Sequence, residues 1–155
     1  KIIFLLNKKI LIATAVSKYK APRLKPVLKN LDYLFLNKDE LFAIMPKETR
    51  LRDAIEKILK LGTKNIFVTL GSKGAIAANN NKFIKESIFP TKVIDLNGTG
   101  DAFCGAAISY IRQNMPLKDI LRYGLASSSL LAEVSGSTRI DLNHKLIEKR
   151  LSMGN

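Results

Sequence analysis

The 155-residue chain has one cysteine, one histidine and no tryptophan. A single cysteine excludes a disulfide framework and a metal site built from cysteines, and we expect Cys104 to be a small packed residue of a helix. The only histidine, His144, is expected on the surface of the last helix, so no histidine-based catalytic triad can be assembled. No apolar run is long enough to span a bilayer and no signal peptide is visible, which favours a cytoplasmic protein without a membrane partner.

Acidic residues are scarce, because 13 Asp and Glu stand against 26 Lys and Arg and leave a net charge of +13. Such an excess of positive charge is typical of proteins that bind nucleic acids. Here the basic residues are spread along the chain, aromatic residues make up only 7% of it, and no RNA- or DNA-binding motif is present. We therefore keep a basic nucleic-acid-binding α/β module as an alternative and do not expect nucleic acid to be the main partner.

Apolar runs alternate with helical patterns along the chain, and 46% hydrophobic residues are enough for a substantial core. The run at residues 9–16 has the length and continuity of a buried strand in a parallel sheet. The pattern predicts one doubly wound α/β domain over residues 1–155, with a mainly parallel sheet and helices on both faces. Residues 1–7 are predicted to be the end of a helix. Further strands are predicted at residues 31–36, 65–70 and 92–94, antiparallel β structure at 71–88, and helices at 22–30, 38–44, 49–61, 98–114, 117–134 and 141–151.

The most informative stretch is residues 95–103, which read D-L-N-G-T-G-D-A-F between a predicted strand and a predicted helix. A glycine-rich turn at a helix start leaves backbone N–H groups without partners, and the helix dipole adds positive potential there, so the turn can bind an anion. Asp101 would lie in the first helical turn, beside that anion. Phosphoryl transfer to a hydroxyl group needs this pair, because amides hold the developing charge while a carboxylate takes the proton. The alternative is a plain turn in which Asp101 only favours the helix N-terminus.

This stretch resembles the second signature of the ribokinase-like (PfkB) carbohydrate and nucleoside kinases, D-T-x-G-A-G-D-A-F. Two positions depart from that pattern, since Leu96 replaces the usual Thr or Ser and Thr99 replaces the usual Ala. Leu96 lacks a hydroxyl near the place where relatives often bind a monovalent cation, so the resemblance does not extend to potassium activation. The resemblance implies that Asp101 is the catalytic base and that the N–H groups of Gly98, Thr99 and Gly100 form the anion hole, with Asn97 beside the nucleotide.

Two further motifs agree with this family and occur in the same order. Asn37 and Glu40 are similar to its N-x-x-E motif, which organises Mg²⁺ and phosphate mostly through water, although the same residues could simply begin a helix with Asn37 as N-cap. Thr69, Gly71 and Gly74 resemble its T-x-G-x-x-G turn at the nucleotide, although a β-turn within a hairpin would have the same sequence. In this family the region of Ser135 and Gly136 lies near the adenine; a plain helix C-terminus is the alternative. The resemblance therefore implies ATP as phosphoryl donor and Mg²⁺ as cofactor.

Residues 15–26 resemble a segment of pseudouridine kinases that reads V-S-x-x-K-A-x-R-L. This finer resemblance implies that the phosphorylated group is a primary hydroxyl of a sugar or nucleoside, with the 5′-hydroxyl of pseudouridine as the best candidate. The alternative is that the four basic residues of this segment form an ordinary solvated face: Lys18, Lys20, Arg23 and Lys25.

Members of this kinase family are about twice as long as this chain, and the lid, the first signature and most of the sugar-binding residues of their N-terminal half are not recognisable here. We therefore expect residues 1–155 to be the C-terminal, ATP-binding part of such a kinase, inactive when isolated. A third interpretation is a non-catalytic half-domain that forms a homodimer through an unpaired sheet edge.

Overall fold

The strands form where apolar residues run continuously, because their side chains become buried; Leu34, Ile66 and Phe67 are wholly inaccessible to solvent. The computed structural model describes residues 2–5 and 10–154. Six strands follow one another across a sheet in chain order. They are β1 (Ile2–Leu5), β2 (Ile10–Thr14), β3 (Tyr33–Asn37), β4 (Asn65–Thr69), β5 (Ala75–Asn79) and β6 (Phe83–Glu86).

Strands β2, β3 and β4 pair in parallel, and β1 pairs with β2 in the antiparallel direction. The register places Ala13 opposite Leu34 and Leu34 opposite Ile66. Parallel strands need a crossover connection, and here each crossover carries helical residues. The prediction of an α/β fold with a mainly parallel sheet is thus confirmed.

The prediction for residues 1–7 is wrong where it can be compared with the structure. Residues 2–5 are extended and form β1, because their backbone pairs with β2 in a register that sets Ile2 opposite Ala13. Lys1, Leu6 and Asn7 lie outside the described residues. Four apolar residues cannot by themselves distinguish a helix end from a strand, so the pairing with β2 decides the conformation.

The helices begin close to the predicted residues. The helix predicted at 22–30 is a 3₁₀ helix, Ala21–Asn30, in which Pro26 removes one N–H donor and so disfavours α-helical hydrogen bonding. The α-helices are α1 (Lys38–Ile44), α2 (Leu51–Lys60), α3 (Thr99–Arg112), α4 (Leu117–Ala132) and α5 (His144–Ser152). None of the helices that the structure describes has the length and apolar character needed to cross a membrane.

The chain divides into two compact units: unit 1 comprises Lys1–Leu70 and Ile76–Ile84, and unit 2 comprises Gly71–Ala75 and Lys85–Asn155. Within unit 1 the apolar face of α2 is buried in a core that also contains strand residues. Helical spacing places the buried residues of α2 on one face of the helix. The buried residues of α2 are Ala54, Ile55, Ile58 and Leu59.

Unit 2 is built around the contact between α3 and α4. Gly124 on α4 lies under the ring of Phe103 on α3, and a Cβ atom at Gly124 would come within 2.8 Å of that ring. The rings of Tyr110 and Tyr123 stack at 3.7 Å between centroids. Cys104 is buried in the same helix, and burial, with the nearby Asp101 carboxylate, raises the pKa of its thiol to about 11. His144 lies at the start of α5 with a largely exposed side chain, as expected.

Asp32 holds two neighbouring strands of unit 1 together. Its carboxylate accepts a hydrogen bond of 2.8 Å from the Leu11 N–H and lies 2.7 Å from the Lys64 ammonium. Partial burial would raise the pKa of Asp32, but the hydrogen bonds from Lys64 and Leu11 outweigh it and lower the pKa below its ordinary value of 3.8. The charged carboxylate is therefore favoured in the folded chain.

We expect Asp32 to make the free energy of unfolding depend on pH in the acidic range. Because its pKa is lower in the folded state, its contribution is present above the ordinary pKa and is lost as the pH falls through the folded value. Urea midpoints measured between about pH 6 and about pH 3 should therefore fall more steeply for the unsubstituted chain than for Asp32→Asn. Asp53→Asn, which changes an exposed carboxylate of α2, is the matched control for the loss of one negative charge. Equal slopes for all three proteins would contradict the assignment.

Candidate nucleotide-binding site

Two predicted site residues of unit 1 lie side by side where parallel strands end. Asn37 is the last residue of β3, Thr69 is the last residue of β4, and the register places them opposite each other. The Thr69 hydroxyl is 3.5 Å from the Leu36 carbonyl oxygen. In open α/β sheets, ligands bind outside the carboxyl ends of the strands. Both residues are thus at the sheet edge where a ligand is expected.

Asn37 and Glu40 form a reciprocal cap at the start of α1. The Asn37 side chain accepts a hydrogen bond of 2.9 Å from the Glu40 N–H, and the Glu40 carboxylate accepts one of 2.8 Å from the Asn37 N–H through Oε2. Burial raises the pKa of Glu40, whereas the bond from Asn37 acts against that shift. The helix-start interpretation is therefore what the structure shows. The cap uses Oε2 of Glu40 and leaves Oε1 outside it.

Gly71 and Gly74 frame a short 3₁₀ turn, Gly71–Lys73, that precedes β5. Both have positive φ values, +59° and +84°, and the Gly74 N–H donates to the Gly71 carbonyl over 3.1 Å. Gly74 is buried against the backbone of residues 86 and 87, whereas Gly71 meets open space. The turn therefore requires glycine at both ends, but for different reasons: conformation alone at Gly71, and conformation with close packing at Gly74.

The strand predicted at residues 92–94 is absent from the structure. Val93 and Ile94 are 55% and 60% exposed, and the Ile94 N–H donates to the Ala132 carbonyl at the end of α4 over 2.7 Å. That N–H is therefore bonded to the end of a helix and not to a neighbouring strand. The glycine-rich turn therefore follows a loop, and α3 begins at Thr99 after Gly98, whose φ of +77° is left-handed.

Asp95 joins the glycine-rich turn to the turn after α4, and sequence reasoning did not assign it this role. Its carboxylate accepts hydrogen bonds from the Asn97 N–H at 2.9 Å and from the Gly136 N–H at 3.0 Å. The N–H groups of Asn97 and Gly136 lower the pKa of Asp95. At the same junction, a Cβ atom on Gly98 would lie 2.5 Å from the Ser137 carbonyl oxygen. Unit 2 thus brings residues 95–101 beside residues 135–137.

Several N–H groups of the turn have no acceptor. In the part of the chain that the structure describes, the N–H groups of Gly98, Gly100 and Asp101 donate to no backbone or side-chain atom. The Thr99 N–H, predicted to belong to the anion hole, instead faces the Leu96 carbonyl at 3.3 Å. The free donors stand at the positive end of α3, and the Asp101 side chain is exposed beside them. The arrangement can hold an anion next to a proton acceptor.

Metal ligands are sparse around these motifs. Residues 2–5 and 10–154 contain no group of three or more His, Cys, Asp or Glu side chains that could hold a metal ion. Among the predicted site residues of unit 1, Asn37 and Glu40 supply oxygen atoms of the kind that Mg²⁺ prefers. Within unit 2, the carboxylate of Asp101 is the exposed oxygen ligand of the turn.

Comparison with known proteins matches the chain to one family. The chain matches the family described as pfkB family carbohydrate kinase over residues 6–144. Arabidopsis thaliana ribokinase is 36% identical over 117 residues, which are 72% of this chain and 31% of that protein. An ATP-dependent 6-phosphofructokinase of Thermoanaerobacterium thermosaccharolyticum is 31% identical over 106 residues, 68% of this chain and 33% of the relative.

Solved structures give the same answer for the fold. The structure of Arabidopsis thaliana ribokinase complexed with ribose and ATP covers 82% of this chain at a TM-score of 0.73 and 32% identity, and 43% of the ribokinase is matched. The match to ribokinase from Thermotoga maritima covers 95% of this chain and 50% of the ribokinase chain, with a TM-score of 0.82 and 25% identity. The ribokinase-like fold is thereby confirmed. The chain spans about a third of the curated relatives and about half of the solved structures that it matches.

Proposed function

The chain belongs to the pfkB family of carbohydrate kinases, and from this premise we propose that it is the ATP-binding part of a kinase that phosphorylates a primary hydroxyl of a sugar or nucleoside. The observation that carries the proposal is the turn at the start of α3. It combines unpaired N–H groups with the exposed Asp101 carboxylate within one helical turn. Phosphoryl transfer depends on positioning and on charge stabilisation, and this turn can supply both.

In the proposed reaction, Asp101 accepts the proton of the substrate hydroxyl while the oxygen of that hydroxyl forms a bond to the γ-phosphorus of ATP. The bond between that phosphorus and the β,γ-bridging oxygen breaks, and ADP leaves with the bond's electron pair. The N–H groups of Gly98 and Gly100 stabilise the charge that develops on the transferred group. Thr69, Gly71 and Gly74, with Asn97, Ser135 and Gly136, are proposed to line the nucleotide.

Mg²⁺ is proposed to be held mostly through water by Asn37 and Glu40. When bound, Mg²⁺ would neutralise part of the negative charge of the ATP phosphates. The fit of Mg²⁺ to this site rests on side-chain oxygen atoms next to the end of β3. The Glu40 carboxylate, on α1, uses Oε2 in the cap and does not use Oε1 there. Both residues keep their helix-capping role in this assignment, because the cap fixes the two side chains at the carboxyl end of the strand.

The substrate proposal, pseudouridine, rests on residues 15–26. The segment starts at the carboxyl end of β2, where the Ala15 N–H donates to the Phe35 carbonyl over 3.2 Å and so joins it to β3. Its tip exposes Val16 and Tyr19, 65% and 82% accessible, and the Lys18 ammonium lies 5.2 Å from the Tyr19 ring. An aromatic ring with basic neighbours at this sheet edge suits a nucleoside with a phosphate nearby.

Ligand preference distinguishes the proposed kinase from the basic nucleic-acid-binding alternative. We expect the 155-residue chain to bind MgATP and MgADP more tightly than a single-stranded oligonucleotide, because its phosphate site is a localised group of amides. Isothermal titration at two salt concentrations should show a shallow salt dependence for the nucleotides. Tighter oligonucleotide binding with a steep logarithmic salt slope, the mark of many phosphate contacts, would contradict the proposal.

The 155-residue chain alone is not expected to turn over substrate. Proximity and orientation supply a large part of the rate in phosphoryl transfer, and the chain corresponds to only a third to a half of its relatives. A coupled ADP-release assay with pseudouridine and ribose should therefore give no signal for the 155-residue chain. Rapid sugar-dependent ADP release would show that this chain supplies every group the reaction needs.

A further inference from the structure

The peptide group between Thr99 and Gly100 is held from one side only. A trans peptide is planar, so the Thr99 carbonyl and the Gly100 N–H point in opposite directions and turn together. The Gly100 N–H has no acceptor among the described residues. The Thr99 carbonyl, in contrast, accepts a hydrogen bond of 2.8 Å from the Ser128 hydroxyl. Thr99 is the first residue of α3, so its carbonyl also belongs to the backbone of that helix. The Ser128 hydroxyl adds a second contact at the end of the peptide opposite the free N–H.

Ser128 lies on α4, 29 residues further along the chain, and its side chain reaches across to α3. A serine within a helix more often bonds back to a carbonyl of its own preceding turn. Its neighbour Ser129 does so, with a bond of 2.8 Å to the Ala126 carbonyl. Ser128 is half-buried, so water competes with its bond less than at an exposed site. Two adjacent serines on one helix thus have different partners, and only Ser128 contacts the turn.

The peptide between Leu96 and Asn97 is fixed independently of Ser128. The Leu96 carbonyl accepts a bond of 2.8 Å from the Thr99 hydroxyl, and the Asn97 N–H of the same peptide donates to Asp95. That peptide is held at both ends and keeps its orientation without Ser128. The Thr99–Gly100 peptide lacks a partner on its N–H side, which is the side that would face a phosphate.

We propose that Ser128 is a positioning residue that aims and polarises the Gly100 N–H toward the transferred phosphoryl group. A hydrogen bond donated to a carbonyl draws electron density from the amide and makes its N–H a stronger donor. The inference rests on the proposed function, since it assigns the Gly100 N–H to the anion hole. Ser128 touches neither nucleotide nor substrate in this assignment and acts only through the peptide.

The test combines a spectroscopic readout of the peptide with nucleotide binding. In Ser128→Ala, the ¹⁵N and ¹H amide shifts of Gly100 should move, because the polarising bond is gone, and hydrogen exchange at Ala102 and Phe103 should rise. The Kd for MgATP should increase about fivefold, the usual worth of one hydrogen bond, and the Kd for MgADP should increase less. Ser128→Thr keeps the hydroxyl and should restore both readouts. Ser129→Ala is the matched control and should change neither, because the Ser129 hydroxyl contacts the Ala126 carbonyl and Arg150 but not the turn.

The outcomes separate this inference from the function on which it rests. If the unsubstituted chain binds no MgATP, the proposed function is wrong for this chain, while the amide shifts still report whether Ser128 orients the peptide. Unchanged Gly100 shifts in Ser128→Ala would overturn the positioning role. Moved shifts with an unchanged Kd for MgATP would overturn it as well, because the bond would then be structural only.

Discussion

Replacing Asp101 with asparagine is expected to lower kcat by about 10²- to 10⁴-fold, the usual contribution of a general base. Asparagine has nearly the same shape, but its amide cannot take the proton from the substrate hydroxyl. The Kd for MgATP should stay nearly unchanged, since the proposed phosphate contacts are backbone N–H groups. The measurement is a coupled ADP-release assay, made with whichever length of the protein shows sugar- or nucleoside-dependent turnover.

The control for Asp101→Asn must separate catalysis from helix stabilisation. Asp119 is also an acidic residue in the first turn of a helix in unit 2, at the start of α4. If the two aspartates only favour helix N-termini, then Asp101→Asn and Asp119→Asn should lower the melting temperature alike and leave kcat alone. A selective loss of kcat in Asp101→Asn is the expected result. Retention of most activity would show that Asp101 is not the base.

Local sequence patterns predicted the strands and the helix that carry the N-x-x-E and T-x-G-x-x-G motifs. Continuous apolar runs located β3 and β4 to within two residues at each end, because burial of such runs depends little on their partners. The sequence N-x-D-E located the start of α1, because a capping box involves only residues three apart in the chain. The roles proposed for Asn37 and Thr69 come from the family resemblance, and the structure adds that they are neighbours in the sheet.

The wrong predictions concern segments whose conformation is decided by distant residues. Residues 2–5 became a strand because β2 is beside them. Val93 and Ile94 have β-branched side chains typical of a strand, yet the Ile94 N–H donates to the Ala132 carbonyl. The bridging role of Asp95 was missed for the same reason, since its partner Gly136 is 41 residues away. One signal was available, because an aspartate two residues before Asn97 is well placed to bond that N–H.

Ser128 shows the same limit for the candidate site. The glycine-rich turn predicts free N–H groups, because every helix start has them. The carbonyl attached to the Gly100 N–H also meets a partner on another helix, the Ser128 hydroxyl of α4. A serine in an apolar helix is the only trace that this contact leaves in the sequence. Motif spacing thus identified the donors, while their orientation needed the packing of α3 against α4.

Replacing Gly74 with alanine is expected to lower the free energy of unfolding by about 4 kcal/mol or more, an exceptional loss for one methyl group. A Cβ atom there would lie 1.9 Å from the Glu86 carbonyl oxygen and 2.8 Å from the Ser87 Cα. Both are backbone atoms, so a rotamer change cannot relieve the contact. The φ of +84° adds the strain of a left-handed residue, about 1–2 kcal/mol.

Movement of the Glu86 backbone would carry its side chain with it. The Glu86 carboxylate is mostly buried and lies 3.3 Å from Arg122 and 3.5 Å from Lys118, two cations on α4. A shift of residue 86 to make room for a methyl group would lengthen both contacts and leave a poorly solvated carboxylate less well paired. The steric contact is therefore transmitted to the packing of unit 2, which is why we expect a loss well beyond the local strain.

Substitutions at two other glycines separate the effect of backbone conformation from the effect of close packing on the stability of Gly74→Ala. Gly71 shares the positive φ but has nothing within 4 Å of an added Cβ, so Gly71→Ala should cost about 1–2 kcal/mol from conformation alone. Gly105 is helical and equally open, so Gly105→Ala should stabilise α3 by up to about 1 kcal/mol. Urea unfolding of the three variants should give the order Gly105→Ala, unsubstituted chain, Gly71→Ala and Gly74→Ala, from most to least stable. If Gly74→Ala were as stable as Gly71→Ala, residues 86 and 87 would be able to move away from the new methyl group without loss of stability. Close packing would then not be the reason for glycine at position 74.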